Sequence, residues 1–434
     1  MKKIKTVLTA AGLLMAAFLC VTGARAETER ALLSPAFDVL VKQQNTVKSG
    51  LVNEDVKFTL TDFKQYLGIS ELDSITITKA PLATDGALVV GSMTVSDGQR
   101  IDASLLSMLT FVPAARDVGR ASFSFCGDEQ TSGAEIECTV RMLNSVNYAP
   151  TVAGVHENRL VLKALNGKSS SGTLTANDPE GDNMSFEIVE YPTHGYLKLC
   201  DKQSGEYVYT SYESYTGTDS FKYVARDEYG NYTTVATVNI NIERDRTGVE
   251  FADMSGCDDL SAASVLVSGG IMSVTARGDG VYFMPDGKVS RADFIVMAMK
   301  AAKKSPKNDS SSLDGISDTE SIDGEPRAYI STALERGYVD IEVSFDGTKS
   351  IRPNDPITKA EAARILSGIC GYEKVAEDIA VFADFYGIDE QTGRCISAMY
   401  EYGVIELEGG MISPKSHVTR ETCAKMLYKL MCVI

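Results

Sequence analysis

The sequence predicts a multidomain chain in which two all-β sandwiches in tandem precede an all-α segment built as a threefold repeat. Three observations predict it. Between Leu51 and Glu243 apolar residues recur at period two in short runs broken by Gly, Asp, Asn and Ser. Within that stretch one pattern of aromatics and glycines occurs twice, and from Phe251 onward the period becomes 3.6 and one helix-pair pattern occurs three times. A length of 434 residues accommodates about three domains.

Residues 1–26 carry Lys2, Lys3 and Lys5, an apolar stretch from Val7 to Val21, and Ala24-Arg25-Ala26, the pattern of a cleaved secretory signal peptide. Leu19 is too large for the position before Cys20 in a lipoprotein signal. Residues 27–50 read as a leader with a short helical pattern at Phe37, Leu40 and Val41. Losing 1–26 removes four basic residues and leaves 38 basic and 59 acidic side chains, a balance of −21. That excludes the basic footprint of a nucleic-acid-binding protein. No later stretch reaches the roughly 18 apolar residues of a membrane span, and the C-terminus shows no sorting motif with a hydrophobic tail. The expected product is exported and soluble. An enzyme is not expected: there is no G-x-S-x-G, H-E-x-x-H or phosphate loop, and His156, His194 and His417 are scattered over different segments.

The first sandwich is expected over 51–147 and the second over 148–243, joined at Asn147-Tyr-Ala-Pro150, where proline ends a strand register. Ser74–Thr78, Ala121–Phe125 and Thr234–Ile242 alternate as half-buried strands do. Pro81, Gly86 and Leu88 correspond to Pro192, Gly195 and Leu197. Phe111, Gly119 and Phe123 correspond to Tyr209, Gly217 and Phe221, with the same twelve-residue separation of aromatics. Disulfides are permitted in an exported chain, and a hairpin centred near Ser132 would set Cys126 opposite Cys138. Cys423 falls on an apolar helical stripe, where a small buried hydrophobe is expected.

The second copy contains Asn177-Asp-Pro-Glu-Gly-Asp182. Asp178, Glu180 and Asp182 offer three hard oxygens in a tight turn, a candidate Ca2+ site that needs others such as Asp219 or Asp227 to converge. The same run also reads as a solvated acidic turn shaped by Pro179 and Gly181. No other metal and no organic cofactor is expected. Tyr207, Tyr209, Tyr212 and Tyr215 form either a sugar-stacking platform or a strand that is half core and half surface. The run from Asn177 through Pro192-Thr-His-Gly-Tyr-Leu197, Tyr215-Thr-Gly-Thr-Asp-Ser-Phe-Lys-Tyr223 and Asp227 resembles the cadherin-like, immunoglobulin-like modules of bacterial surface proteins. The resemblance covers Ala149 to Glu243, and more loosely Leu51 to Leu143.

After a linker at 244–250, three units are expected at 251–315, 316–381 and 382–434. They open at Phe251-Ala-Asp253, Ile316-Ser-Asp318 and Phe382-Ala-Asp384. First-helix stripes are Ala263, Leu266, Val267; Ile330, Ala333, Leu334; and Ile396, Met399, Tyr400, each closed by a glycine, Gly270, Gly337 or Gly403. Second helices carry Phe294, Met297, Ala298, Ala301; Ala362, Ile365, Leu366, Ile369; and Cys423, Met426, Leu427, Leu430. Ser290, Thr358 and Thr419 are their expected N-caps, with Asp293 and Glu361 three residues on as in a capping box. Arg291, Lys359 and Arg420 then sit in the first turn, where a cation opposes the helix dipole and gains nothing locally. Its threefold recurrence points to a partner that supplies negative charge.

These motifs, with Phe283-Met-Pro285, Ile351-Arg-Pro353 and Ile412-Ser-Pro414, resemble the S-layer homology (SLH) family over Phe251 to Ile434. The resemblance implies a pseudo-threefold spindle whose grooves bind secondary cell-wall polymer, often bearing a pyruvate ketal, without a covalent bond. It implies that Arg291, Lys359 and Arg420 meet the polymer's carboxylate, while Asp253, Asp318 and Asp384 are structural. The chain departs from the family in lacking Trp and in the third motif, Thr419-Arg-Glu-Thr422, so unequal grooves are expected, the third the most degenerate. The reading is a secreted, wall-anchored surface protein. The alternatives are an adhesin or carbohydrate-binding protein whose sandwiches bind an external ligand, and an S-layer lattice component.

Overall fold

A computed structural model describes residues 45–128, 135–153, 155–307, 313–320, 322, 324–372, 382 and 384–434. The expected signal peptide and the helical pattern at Phe37–Val41 lie outside them. The described residues divide into two compact units, the first drawn from 45–153, 176–190 and 222–236, the second from 155–175, 191–221 and 237–434.

In the first unit, β1 (Asn45–Leu51), β3 (Ser74–Lys79), β6 (Gln99–Asp102), β8 (Arg120–Gly127) and β9 (Ile136–Leu143) form one sheet in the order β1-β9-β8-β3-β6. A second sheet has the order β2-β7-β4-β5, from β2 (Val56–Lys57), β4 (Gly86–Val90), β5 (Met93–Thr94) and β7 (Leu109–Pro113). Alternation aims Ile75, Ile77, Phe123, Phe125 and Val140 inward against Leu88 and Phe111. Two features correct the sequence reading. Residues 45–50, expected as leader, belong to β1, which pairs in parallel with β9 from Asn45 to Leu51. And the domain is not all β: α1 (Leu60–Leu67) is closed by a Thr59–Asp62 capping box and by left-handed Gly68. Its Phe63 ring sits 5.6 Å from Phe58 and 5.0 Å from Phe125, so one short helix delivers a core aromatic to the sheet.

The expected disulfide does not form. In the β8–β9 hairpin Phe125 faces Ile136 and Phe123 faces Cys138, three residues out of register for Cys126 to meet Cys138. Cys138 also points into the core while Cys126 is half-buried. None of the eight described cysteines joins a disulfide.

The second sandwich is built of β10 (Val161–Leu165), β11 (Ser169–Thr173), β12 (Met184–Glu190), β13 (Gly195–Leu199), β14 (Glu206–Ser211), β15 (Gly217–Asp227) and β16 (Ala236–Glu243). Its sheets have the orders β10-β16-β15-β12 and β11-β14-β13. Tyr207 and Tyr209 are core residues, whereas Tyr212 is exposed and packs edge-on against exposed Tyr196.

The helical part of the second unit repeats one pair three times: α2 (Leu260–Ser268) with α3 (Arg291–Ala301), α4 (Gly324–Glu335) with α5 (Lys359–Cys370), and α6 (Glu390–Glu401) with α7 (Arg420–Val433). Two-residue and three-residue ribbons, β17 (Thr275–Arg277) with β18 (Gly280–Tyr282) and β19 (Glu342–Val343) with β20 (Lys349–Ser350), interrupt the first two pairs, so the segment is not all α. Among the described residues the closest helix packing runs between pairs. Each second helix lies against the first helix of the next pair, α3 on α4, α5 on α6 and α7 on α2, which closes the array on itself. At the centre Val289 N donates to Val418 O (3.0 Å), Ile357 N to Val289 O (2.9 Å) and Val418 N to Ile357 O (2.9 Å). The second-helix stripes read from the sequence are buried, Cys423 among them.

Thiol titration of the unfolded, unreduced protein is expected to count Cys126 and Cys138 as reactive, and reductant is expected to leave Tm unchanged.

Candidate functional site

Each helix pair contains the same clamp. Asp253 accepts hydrogen bonds from Phe283 N (2.8 Å) and Met284 N (2.6 Å), Asp318 from Ile351 N (3.1 Å) and Arg352 N (2.7 Å), and Asp384 from Ile412 N (3.4 Å) and Ser413 N (2.6 Å). Met284, Arg352 and Ser413 have φ of 59°, 49° and 55°. A left-handed residue directly before a proline is strained, at roughly 1–3 kcal/mol each, and the aspartate offsets that strain by holding both amides. These three aspartates are structural, and they shape the loop on which the next helix rests.

The cations after the N-caps are where this loop is read. Ser290, Thr358 and Thr419 each accept from the backbone amide three residues on. Of the three, only Thr358 and Glu361 make the full reciprocal box; in the first the Asp293 carboxylate accepts from the Ser290 hydroxyl (2.7 Å), and in the third Thr422 stands where the acid would be. Arg291 Nε donates to Ile351 O (2.9 Å), in the next pair's clamp, and its Nη1 lies 2.6 Å from Glu361 Oε1. Lys359 Nζ lies 2.8 Å from Glu408 Oε1, again in the next pair. Arg420 Nε donates to Phe283 O (2.7 Å), its guanidinium 4.8 Å from the Phe283 ring centroid, and it also donates to Ser273 O. Each cation thus gains its partner not locally but in the following pair. Arg291 and Lys359 are buried, at 6% and 4% exposure. Burial tends to raise Glu361, but the Thr358 amide, Arg291 and Arg352 outweigh it and hold the carboxyl below its ordinary range. Burial pulls Arg420 down.

Beside this ring a groove of about 350 Å³ opens between the loop after α4, α5 and the start of α6. Arg291 and Glu361 line it with Tyr338, Asp340, Arg364 and Thr392. Arg364 binds Asp340 and reaches Thr392 Oγ1 at 3.4 Å. The sequence reading missed Arg364; its signal was a cation on the polar side of the α5 stripe. Elsewhere in the helical repeats Phe382 packs on Phe385 and Tyr400, with ring centroids 4.8 and 5.0 Å apart.

In the first unit the acidic run is rearranged relative to expectation. Asp178 and Asp182 converge with Asp227, their carboxylate oxygens within 4.8 Å of one another, while Glu180 turns away to accept from Tyr148 N (3.2 Å). Asp219 is held elsewhere, by Thr193 N, His194 N and the Tyr209 hydroxyl. Asp227 is ringed by Asn147, Tyr229 and Asn231 donors, whereas Asp178 Oδ2 and Asp182 Oδ2 have no hydrogen-bond partner among the described residues. Burial and then the Asp178 and Asp227 charges push Asp182 up, and burial pushes Asp227 up. The donor set of hard, mutually repelling oxygens suits Ca2+.

These contacts set the following expected outcomes. A carboxylate with a raised folded pKa binds protons more tightly folded than unfolded, so this unit gains stability as pH falls from neutral toward the ordinary Asp value and loses it as pH rises. Millimolar CaCl2 at neutral pH should raise Tm in the wild type and not in Asp182→Asn, by differential scanning fluorimetry. Arg291→Ala should cost about 3 kcal/mol in denaturant unfolding, since it removes a buried partner from Glu361, whereas Arg364→Ala should cost under ~1 kcal/mol, the worth of an exposed pair.

Among curated proteins none matches this chain. Solved structures it is similar to include an endo-fucoidan hydrolase of glycoside hydrolase family 107 (21% identity, 48% of this chain and 28% of that one, TM-score 0.18). They also include Drosophila N-cadherin EC1-3 (12%, 46% and 65%, 0.21) and the fibronectin(III)-like modules of Clostridium thermocellum CbhA (16%, 49% and 97%, 0.21). The chain thus spans less than two thirds of the first two. Family models match two stretches, and by them the chain carries a bacterial cadherin-like domain over residues 147–244 and an S-layer homology domain over residues 315–363.

Proposed function

We propose that the protein is a secreted, non-enzymatic surface protein held on the bacterial cell wall by its helical repeats, which bind secondary cell-wall polymer without a covalent bond. The S-layer homology domain suggests wall anchoring and the cadherin-like domain a surface protein. In this reading all three helix pairs are SLH repeats. Among the described residues no helix is long and apolar enough to cross a membrane.

The observation that carries the proposal is the 350 Å³ groove in and beside the matched domain, with two guanidiniums on its wall. Arg364 is bonded to exposed Asp340, an exchangeable partner that an incoming sugar carboxylate displaces through two parallel hydrogen bonds. Arg291 sets the floor through Glu361. Lys359 and Arg420, proposed from the sequence as direct polymer contacts, serve binding by holding neighbouring repeats at the right spacing. Weak grooves on one rigid frame act together, so attachment is stronger than any single site.

A second reading is favoured by one observation: Tyr196 and Tyr212 form an exposed aromatic pair on the cadherin-like domain, with His194 stacked on Tyr215 at 3.6 Å. Such a surface suits an adhesin that stacks on an external sugar.

Cosedimentation of the full chain with wall sacculi tests the anchor. Binding is expected to vanish when the polymer is chemically stripped, and Arg364→Ala, which removes both charge-assisted hydrogen bonds to the sugar carboxylate, is expected to weaken it at least about tenfold. Binding that survives stripping would sink the proposal.

A further inference from the structure

The open groove has a counterpart inside the second unit. Aligned on the glycine that ends each first helix and the cation that opens each second helix, Asp340 and Arg364 correspond to Glu406 and Lys425. Thr392 at the start of α6 corresponds to Asp259 at the start of α2. The contacts correspond as well. Where Arg364 binds Asp340 and Thr392, Lys425 Nζ lies 2.6 Å from Glu406 Oε2 and 4.0 Å from Asp259 Oδ2, and Lys429 adds a second ammonium on Glu406. The groove between α7 and α2 therefore repeats the ionic arrangement of the groove between α5 and α6.

What fills it is different. Strand β11, Ser169-Ser-Ser-Gly-Thr173, is buried along its whole length, an unusual fate for a run of small hydroxyl residues. Its partners account for that. Ser171 donates to the Asp259 carboxylate through both its amide (3.0 Å) and its hydroxyl (2.9 Å), Ser169 Oγ donates to Cys257 O (2.9 Å), and on adjoining β10 Leu165 N donates to Ser261 Oγ (3.1 Å). At the rim Lys168 Nζ binds Ser264 Oγ (2.6 Å) and Val249 O (2.9 Å), and Glu206 accepts from Gly409 N (2.7 Å). A cavity of about 70 Å³ remains, lined by Ser170, Thr173, Lys425 and Lys429. Into it turn the Ser170 and Thr173 hydroxyls, 3% and 4% exposed and without a hydrogen-bond partner among the described residues.

We infer that β11 occupies this third groove in place of a saccharide, with Ser171 bound by Asp259 and the Ser170 and Thr173 hydroxyls set in the cavity beside Lys425 and Lys429, where the open groove presents Arg364. Docking of the cadherin-like domain and polymer binding at this groove then exclude each other. The exclusion rests on the reading of the grooves as polymer sites; the docking does not. In the docked state the third groove is withheld, and releasing β11 adds a binding site.

Two readouts on the full chain separate these parts. Ser171→Asp sets a second carboxylate against Asp259 and should expel β11; Lys168→Ala/Glu206→Ala loosens only the rim and serves if the first variant fails to fold. Hydrogen exchange at the amide of residue 171, which bonds Asp259 while neighbouring amides of β11 pair with β14, is expected to be slow in the wild type and faster by about tenfold or more in either variant. Fast exchange in the wild type overturns the docking. Calorimetric titration with a methyl hexopyranoside carrying a pyruvate ketal is expected to give one more bound equivalent in the loosened variants than in the wild type. Equal stoichiometry in a variant whose β11 exchanges fast overturns the exclusion. A probe that binds neither protein overturns the polymer reading and the exclusion with it, while slow wild-type exchange still supports the docking.

Discussion

Three main-chain hydrogen bonds, among Val289, Ile357 and Val418, hold the helical repeats in a closed ring. An open row of helix pairs would leave one apolar face uncovered at each end. Here the face of α7 is covered by α2, so the last repeat buries what the first exposes. Closure also makes each repeat depend on its neighbour. The cation that opens α3, α5 or α7 reaches the following clamp loop or its neighbourhood, and in the third case the following loop is that of the first repeat.

That dependence explains why a cation tolerates the wrong end of a helix dipole. The loss there, typically 0.3–1 kcal/mol, is smaller than the gain from a charge-assisted bond to a carbonyl or carboxylate in a partly buried site. It also explains the strained residue before each proline. Holding Met284, Arg352 and Ser413 left-handed turns the preceding carbonyl, of Phe283 or Ile351, toward the arriving guanidinium. The aspartate that stabilises this strain and the arginine that uses it belong to different repeats.

Burial of the serine strand follows the same logic. A strand of Ser and Gly contributes little hydrophobic free energy, so it is held by donors and acceptors alone, chiefly the Asp259 carboxylate. Polar interfaces of this kind are specific in geometry and modest in net stability. That combination suits a contact made and broken without unfolding either partner.

The division of labour between sequence and tertiary structure is physical. Periodicity of two or 3.6 is written in local order, so the strands, the helix pairs, the caps at Ser290, Thr358 and Thr419 and the stripes from Phe294 to Leu430 were legible in the chain itself. The helix α1 escaped because eight residues with one capping box carry little periodic signal against a β background, and β1 because a parallel strand declares itself only through its distant partner β9. Cys126 and Cys138 look opposed on a count of residues, but the register is set by which face of the hairpin must bury Phe123, Phe125 and Cys138. The same holds for the site. The sequence by itself determined which residue types recur at each helix start; only the closed array decided that Arg291 and Lys359 are buried inside it, that Arg364 faces an open groove, and that Lys425 faces a strand of serines, because burial and partnership are properties of what arrives from elsewhere in the chain.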